Sequence, residues 1–145
     1  MEFVVKDFCE LQKDELYEIL KARAQIFIVE KGMNCQDLDG IDFYAKHFIL
    51  RENGNLIAYL RGFCDGEWYK LGRIITLSHG IGHGRILMEK SLEYISENLS
   101  YKSVYINSQY DAAGFYKKCG FVAVGEEFIE ENVRHIRMEM NEIKK

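Results

Sequence analysis

No proline occurs among the 145 residues, although average usage would supply about seven in a chain of this length. That absence excludes proline-imposed cis turns, proline kinks and Pro-rich linkers. No apolar run approaches the roughly 20 residues needed to cross a bilayer. Met1 to Cys9 carries charge at Glu2, Lys6 and Asp7 and lacks the apolar stretch of a signal peptide. The four cysteines, Cys9, Cys35, Cys64 and Cys119, are widely spaced, with no Cys-x-x-Cys. They read as buried, reduced thiols rather than a disulfide framework. Nor is there a basic excess: the net charge is -4, which speaks against nucleic acid as a partner. The expectation is a cytoplasmic protein that engages neither membrane nor nucleic acid.

What is present is an ordinary globular composition, 48% apolar and 29% charged. The length suits one domain over residues 1–145, with no internal repeat or linker. Glu2 to Cys9 reads as a strand and Asp14 to Glu30 as a helix with Leu16, Leu20, Ala24, Phe27 and Ile28 on one face. Asn34 to Phe43 is a polar, acidic loop. His47 to Arg51, Leu56 to Phe63 and Trp68 to Leu77 form a meander, with turns at Asn53-Gly54 and Asp65-Gly66. Gly80, Gly82 and Gly84 precede a helix to about Asn98, with Met88, Leu92, Ile95 and Leu99 inward. Ser103 to Asn107 is a strand, Tyr110 to Cys119 a short helix, and Phe121 to Val124 and Val133 to Met140 closing strands. The order predicts an α/β (α+β mixed) domain on a mixed, mostly antiparallel sheet with helices on both faces.

Two segments carry chemistry. Leu71 to Arg85 runs strand, glycine loop, helix start. Unpaired amides at a helix N-terminus bind phosphate, and glycines let the backbone curl round the anion. The alternative is a turn that binds nothing. The loop lacks the Gly-Lys-Ser/Thr of a P-loop, and Gly-x-Gly-x-Gly after an antiparallel meander disfavours a dinucleotide. The second segment is Gln109, Ala112, Phe115, Tyr116, Gly120 and Phe121. His79 and His83 bracket the glycine loop without a metal-ligand pattern, so no metal is expected.

Together these segments resemble the GNAT family of acyl-CoA N-acyltransferases. Gly82 and Gly84 match its two loop glycines, with His79 where Arg or Gln is usual. Gln109 takes the place of an Asn, and Ala112, Tyr116 and Gly120-Phe121 match the later helix motif. A narrower resemblance, to the ElaA-like branch, spans nearly the whole chain through Leu16-Tyr17, Arg23, Phe27, Val29-Glu30, Cys35, Asp39-Gly40, Asp42, His47, Tyr59, Arg61, Gly72-Arg73, Gln109, His135 and Met138. The chain departs from that branch at Lys31, at the shortened stretch after Cys35, and at Arg134, where proline is usual before the late histidine. Two of these sites flank the expected acceptor cleft and lose a fixed φ, so that half is expected to be the more mobile.

The resemblance implies acetyl-CoA as donor and a primary amine of a small molecule or peptide as acceptor. It implies a pantetheine arm between two splayed parallel strands, met by backbone at Ile74, Ile75 and Thr76. The loop from His79 and Gly80 through Ile81, Gly82, His83 and Gly84 to Arg85 would hold the pyrophosphate, with Gln109, Ala112 and Tyr116 beside it. Lys117 is a further candidate contact. Tyr116 resembles the proton donor to the CoA sulfur; otherwise it is a core aromatic. Glu30, beside an apolar run, and His135 are the candidate bases, each with a plain structural alternative. Asp39, Asp42, His47 and Arg73, with Glu30 and His135, are the candidate acceptor contacts; a structural ion pair is the alternative for Arg73. If the acidic loop and Glu126 to Glu131 line one cleft, they would attract a cationic amine. Monomer and homodimer both stay open. The competing function is a CoA-binding regulator of the same fold with little turnover.

Overall fold

The computed structural model describes residues 1–143. Its frame is one seven-stranded sheet. The strands are β1 (Glu2–Asp7), β2 (Lys46–Glu52), β3 (Asn55–Asp65), β4 (Trp68–Thr76), β5 (Ser103–Gln109), β6 (Val122–Glu130) and β7 (Val133–Met140). They lie in the order β1-β2-β3-β4-β5-β7-β6. All pairs are antiparallel except β4 with β5. Three α-helices accompany them: α1 (Lys13–Arg23), α2 (His83–Tyr94) and α3 (Ala113–Lys118). Among the described residues no helix is long and apolar enough to cross a membrane.

The period-2 rule sets the layers. Phe48, Leu50, Ala58 and Leu60 face α2 and join Leu87, Met88, Leu92 and Ile95. Their neighbours Ile49, Tyr59 and Ile75 face the opposite side and meet Ile19, Ala22, Ile26 and Phe27. The Asn53-Gly54 turn is left-handed at both residues, with φ of 53° and 80°, as a two-residue hairpin requires.

The first helix differs from its expected course. α1 stops at Arg23 and the chain continues as a π-helical segment over Ala24–Glu30. Its end is marked by the Lys31 N–H donating to the Ile26 carbonyl at 3.1 Å. The inward face is Ile19, Ala22, Arg23, Ile26 and Phe27, while Ala24 and Ile28 are exposed. Hydropathy alone places an arginine outside; buried aspartates bring Arg23 in. The cysteines also differ: all four are unpaired, but Cys9 and Cys64 are exposed and Cys35 and Cys119 half-buried. Cys64 belongs to the end of β3 that runs out to the second hairpin turn, beyond the packed part of the sheet.

Candidate active site

β4 and β5 are hydrogen-bonded neighbours only from Trp68↔Ser103 to Leu71↔Ile106. Beyond that row both strands continue, but apart. The cause is a bulge. Tyr59 pairs with Ile75 and Arg61 with Gly72, so Arg73 and Ile74 together oppose Leu60. Arg73 takes a left-handed φ of 50° there, uncommon for a side-chain-bearing residue. The bend turns β4 away from β5 and opens a cavity of about 410 Å³ between them.

Ile74, Gln109, Ala112 and Tyr116, four of the residues assigned to the cofactor, line this cavity, as do Asp39, Arg73 and His135. Tyr116 is 7% exposed; its hydroxyl makes no hydrogen bond among the described residues, yet it is not one of the sealed, unpartnered atoms of the core. Burial pushes that phenol well above its ordinary range, so it stays protonated. His135 is 5% exposed and stacks on Phe128. Its Nδ1–H donates to the Val133 carbonyl at 2.7 Å, which leaves Nε2 as the acceptor nitrogen, 3.7 Å from Glu130.

The glycine loop lies outside the cavity lining. Gly80 and Gly82 have φ of 78° and 82°, and Gly82 caps α2. A Cβ on either would meet nothing within 4 Å, so the loop is an open concave backbone. Among the described residues no acceptor takes a hydrogen bond from the amides of residues 78–85. Free amides, an open cradle and a 12-residue helix behind them suit a pyrophosphate. His79 and Ile81 are exposed on this loop. Gly84 serves packing: its Cβ would lie 3.1 Å from Phe115 and 3.3 Å from Thr76. Ile75 is buried on the far face, and His83, the first residue of α2, is buried 4.0 Å from Glu52. Arg85 pairs with Glu89 at 3.1 Å in solvent, and Lys117 is exposed.

Three expected acceptor residues lie elsewhere. Glu30 is exposed, without the apolar cover expected of it; it accepts from Gln25 and lies 4.0 Å from His79, on the glycine-loop side. Its π-helical segment presents Ile26 and Phe27 inward and Glu30 outward. Asp42, near the end of the acidic loop, and His47, on β2, are buried. His47 donates from Nε2 to the Asp42 carbonyl at 3.0 Å and accepts at Nδ1 from the Tyr59 hydroxyl at 2.7 Å. Burial holds it below its ordinary range, so it stays neutral.

The acidic loop is fastened by a closed ring of alternating charges. Arg23 joins Asp37 (3.1 Å) to Asp42 (2.7 Å). Arg61 joins Asp42 (3.1 Å) to Asp39 (2.6 Å). Arg73 joins Asp39 (3.3 Å) back to Asp37 (2.7 Å). Arg23 is wholly buried, and although burial opposes its charge, Asp42 and its neighbours raise its pKa further. Burial likewise pushes the Asp39 carboxyl up, but hydrogen bonds and charge from Arg61 outweigh it and hold the group at about 2. Arg73 is thus an ion-pair member of this ring. The loop lacks proline, yet it is tied to α1, β3 and β4 by side chains.

The acidic loop and the β6–β7 turn do converge: Asp37, Asp39, Glu130 and Glu131 all line the cavity. The cavity is not acidic, however, because Lys31, Arg61, Lys70 and Arg73 line it too. Lys31 Nζ donates to Gln109 Oε1 at 3.1 Å across the mouth. Sequence reading missed Lys70 altogether. The signal was there in the alternation Trp68, Lys70, Gly72 on one face of β4.

A family model described as an acetyltransferase (GNAT) domain matches residues 11–142. The chain belongs to the GNAT acetyltransferase family. It is 34% identical to protein ElaA of Escherichia coli, over 89% of each chain. The crystal structure of that ElaA superposes with a TM-score of 0.87 over 96% of this chain and 99% of the other, at 32% identity. An acyl-CoA N-acyltransferase from Pseudomonas aeruginosa gives 0.85 over 96% and 99%, at 30% identity. The protein is therefore an ElaA-like GNAT acyltransferase. Spermidine N-acetyltransferase from Vibrio cholerae, in complex with CoA and spermine, shares the fold at a TM-score of 0.71 and 19% identity, over 95% of this chain and 94% of that one.

Proposed function

We propose that this GNAT acyltransferase moves an acetyl group from acetyl-CoA to a primary amine of a small molecule or peptide. The observation that carries the reading is the parting of β4 and β5 beyond Leu71 and Ile106, into a cavity lined by Tyr116 with its unpartnered hydroxyl. The open loop at Gly80 and Gly82 suits the pyrophosphate, and the amides of residues 78–85 would hold it. A protein of this fold that holds CoA together with spermine supports the same donor and an amine acceptor.

Acetyl-CoA supplies an activated acyl group as its thioester. The acceptor attacks as the neutral amine: a nitrogen–carbon bond forms and the carbon–sulfur bond breaks. His135 takes the proton the nitrogen sheds, at the Nε2 its hydrogen bond leaves free. Tyr116 gives its hydroxyl proton to the leaving sulfur and regains one through solvent. Backbone polar groups at Ile74 polarise the acyl carbonyl. The ring of Arg23, Asp37, Asp42, Arg61, Asp39 and Arg73 keeps the bulge and the loop in place around the reacting atoms.

Free-thiol release from acetyl-CoA across a panel of amines, with mass spectrometry of the products, tests this. Acetylated amine should form with at least one acceptor. A thermal shift with acetyl-CoA but no release from any amine would make the protein a CoA-binding regulator.

A further inference from the structure

The cavity contains a cation that the fold does not neutralise. Four carboxylates line it, Asp37, Asp39, Glu130 and Glu131, but the first two are consumed by the arginine ring. Four cations line it as well, and Arg61 and Arg73 are the ring's own. Lys31 is exposed at the mouth on a neutral partner, Gln109. Lys70 is different. It is half-buried, and its Nζ lies 5.8 Å from the ring centroids of both Phe63 and Tyr105. Among the described residues no carboxylate stands within ion-pair distance of it. Asp65 accepts from the Tyr105 hydroxyl instead. Arg137, on the other side of Tyr105 at 3.7 Å, has its own carboxylate in Glu139 at 2.6 Å. Of the two cations flanking that ring, the fold supplies a counter-charge to one only.

Two aromatic faces 5.8 Å away hold the half-buried ammonium only weakly and leave it open to a partner. A carboxylate brought in by a ligand holds it more strongly. We infer that Lys70 is a specificity residue that binds the carboxylate of the acceptor, so that the acceptor is an amine carrying a carboxylate at a distance. The inference rests on the amine-acetylating reading of the same cavity. Strand register sets the distance. Lys70 pairs with Tyr105, and His135 pairs with Gln109, four residues further along β5. That is about 13 Å of strand at ~3.3 Å per residue. The reach of the Lys70 side chain shortens it to the span of several carbons. An amine and a carboxylate at opposite ends of an aliphatic chain, or a peptide bearing both, fits that span. A polyamine would set a second cation against Lys70.

Three acceptors of one chain length test the inference: aminohexanoate, hexylamine and hexanediamine, compared by kcat/KM with acetyl-CoA. The wild type should prefer aminohexanoate over hexylamine by about tenfold, the worth of one charge-assisted hydrogen bond. Hexanediamine should be poorest. Lys70→Gln should remove the preference and leave hexylamine turnover unchanged, and Lys70→Arg should keep it. A wild-type preference for hexanediamine would overturn the inference. So would an equal loss on all three amines in Lys70→Gln, which is what a merely structural lysine gives. Thiol release from none of the three, by protein that still binds acetyl-CoA, would overturn the amine-acetylating reading itself.

Discussion

His135 has one ring nitrogen committed by a hydrogen bond. The Val133 carbonyl fixes the proton on Nδ1 and stacking on Phe128 fixes the ring plane, which leaves Nε2 as the acceptor, 3.7 Å from Glu130, on a residue that lines the cavity. His135→Ala should lower kcat by about a hundredfold to ten-thousandfold, the usual worth of a positioned base. Its acetyl-CoA affinity should stay near the wild-type value, checked by calorimetry. Glu30→Gln should change turnover far less, since Glu30 stands in solvent beside His79. The sequence offered both as bases and could not separate them. Spacing says which residues share an element, not which way a π-helical segment turns its last carboxylate.

Elements were read more surely than faces. The meander, both hairpin turns and the strand–loop–helix at the glycines are legible from turn chemistry and period alone. The face of α1 is not. A hydropathy stripe through Leu16, Leu20, Ala24, Phe27 and Ile28 finds Phe27 but omits Arg23, the residue around which that face is built. An arginine goes inside only with its counter-charges, and these arrive from a loop 14 and 19 residues away. The widening after Ala24 then shifts the register. The glycines divide at this scale. Gly82 is open and left-handed, whereas Gly84 is wedged against Phe115 and Thr76. Gly84→Leu should therefore cost about 1–3 kcal/mol by forcing α2 off α3, read as a lowered denaturation midpoint. Gly82→Arg should instead abolish acetyl-CoA binding by filling the cradle, seen as loss of the ligand's thermal shift.

The arginine–aspartate ring binds α1, β3, β4 and the acidic loop into one body. It ties the proline-free loop to the sheet and α1 by side-chain charge rather than by a fixed φ. Arg61→Ala leaves Asp39 and Asp42 each short of a partner and should cost about 3–5 kcal/mol. The ring also sets the response to acid. Asp39 titrates at about 2 in the fold against 3.8 as the reference value, so its contribution is full above pH 4 and is lost as pH falls toward 2. His47, held neutral by burial, adds an earlier loss. Its folded pKa lies below the reference value of 6.5, so stability begins to fall as pH drops beneath that value, where the unfolded chain takes the proton first. Denaturant midpoints from pH 8 to pH 2 should thus show two declines, and His47→Gln should remove the upper one.

The proposed chemistry turns on one residue, Tyr116, on the wall of the cavity between the parted strands. The most direct measurement is the turnover of Tyr116→Phe with acetyl-CoA and the best amine acceptor, set beside the dissociation constant for acetyl-CoA. The ring still packs between Phe115 and Phe121, so folding and affinity should hold. Turnover should fall by about tenfold to a thousandfold, because the leaving sulfur loses its proton source. Wild-type turnover in that variant would contradict the mechanism and return Tyr116 to the core as an aromatic that only packs.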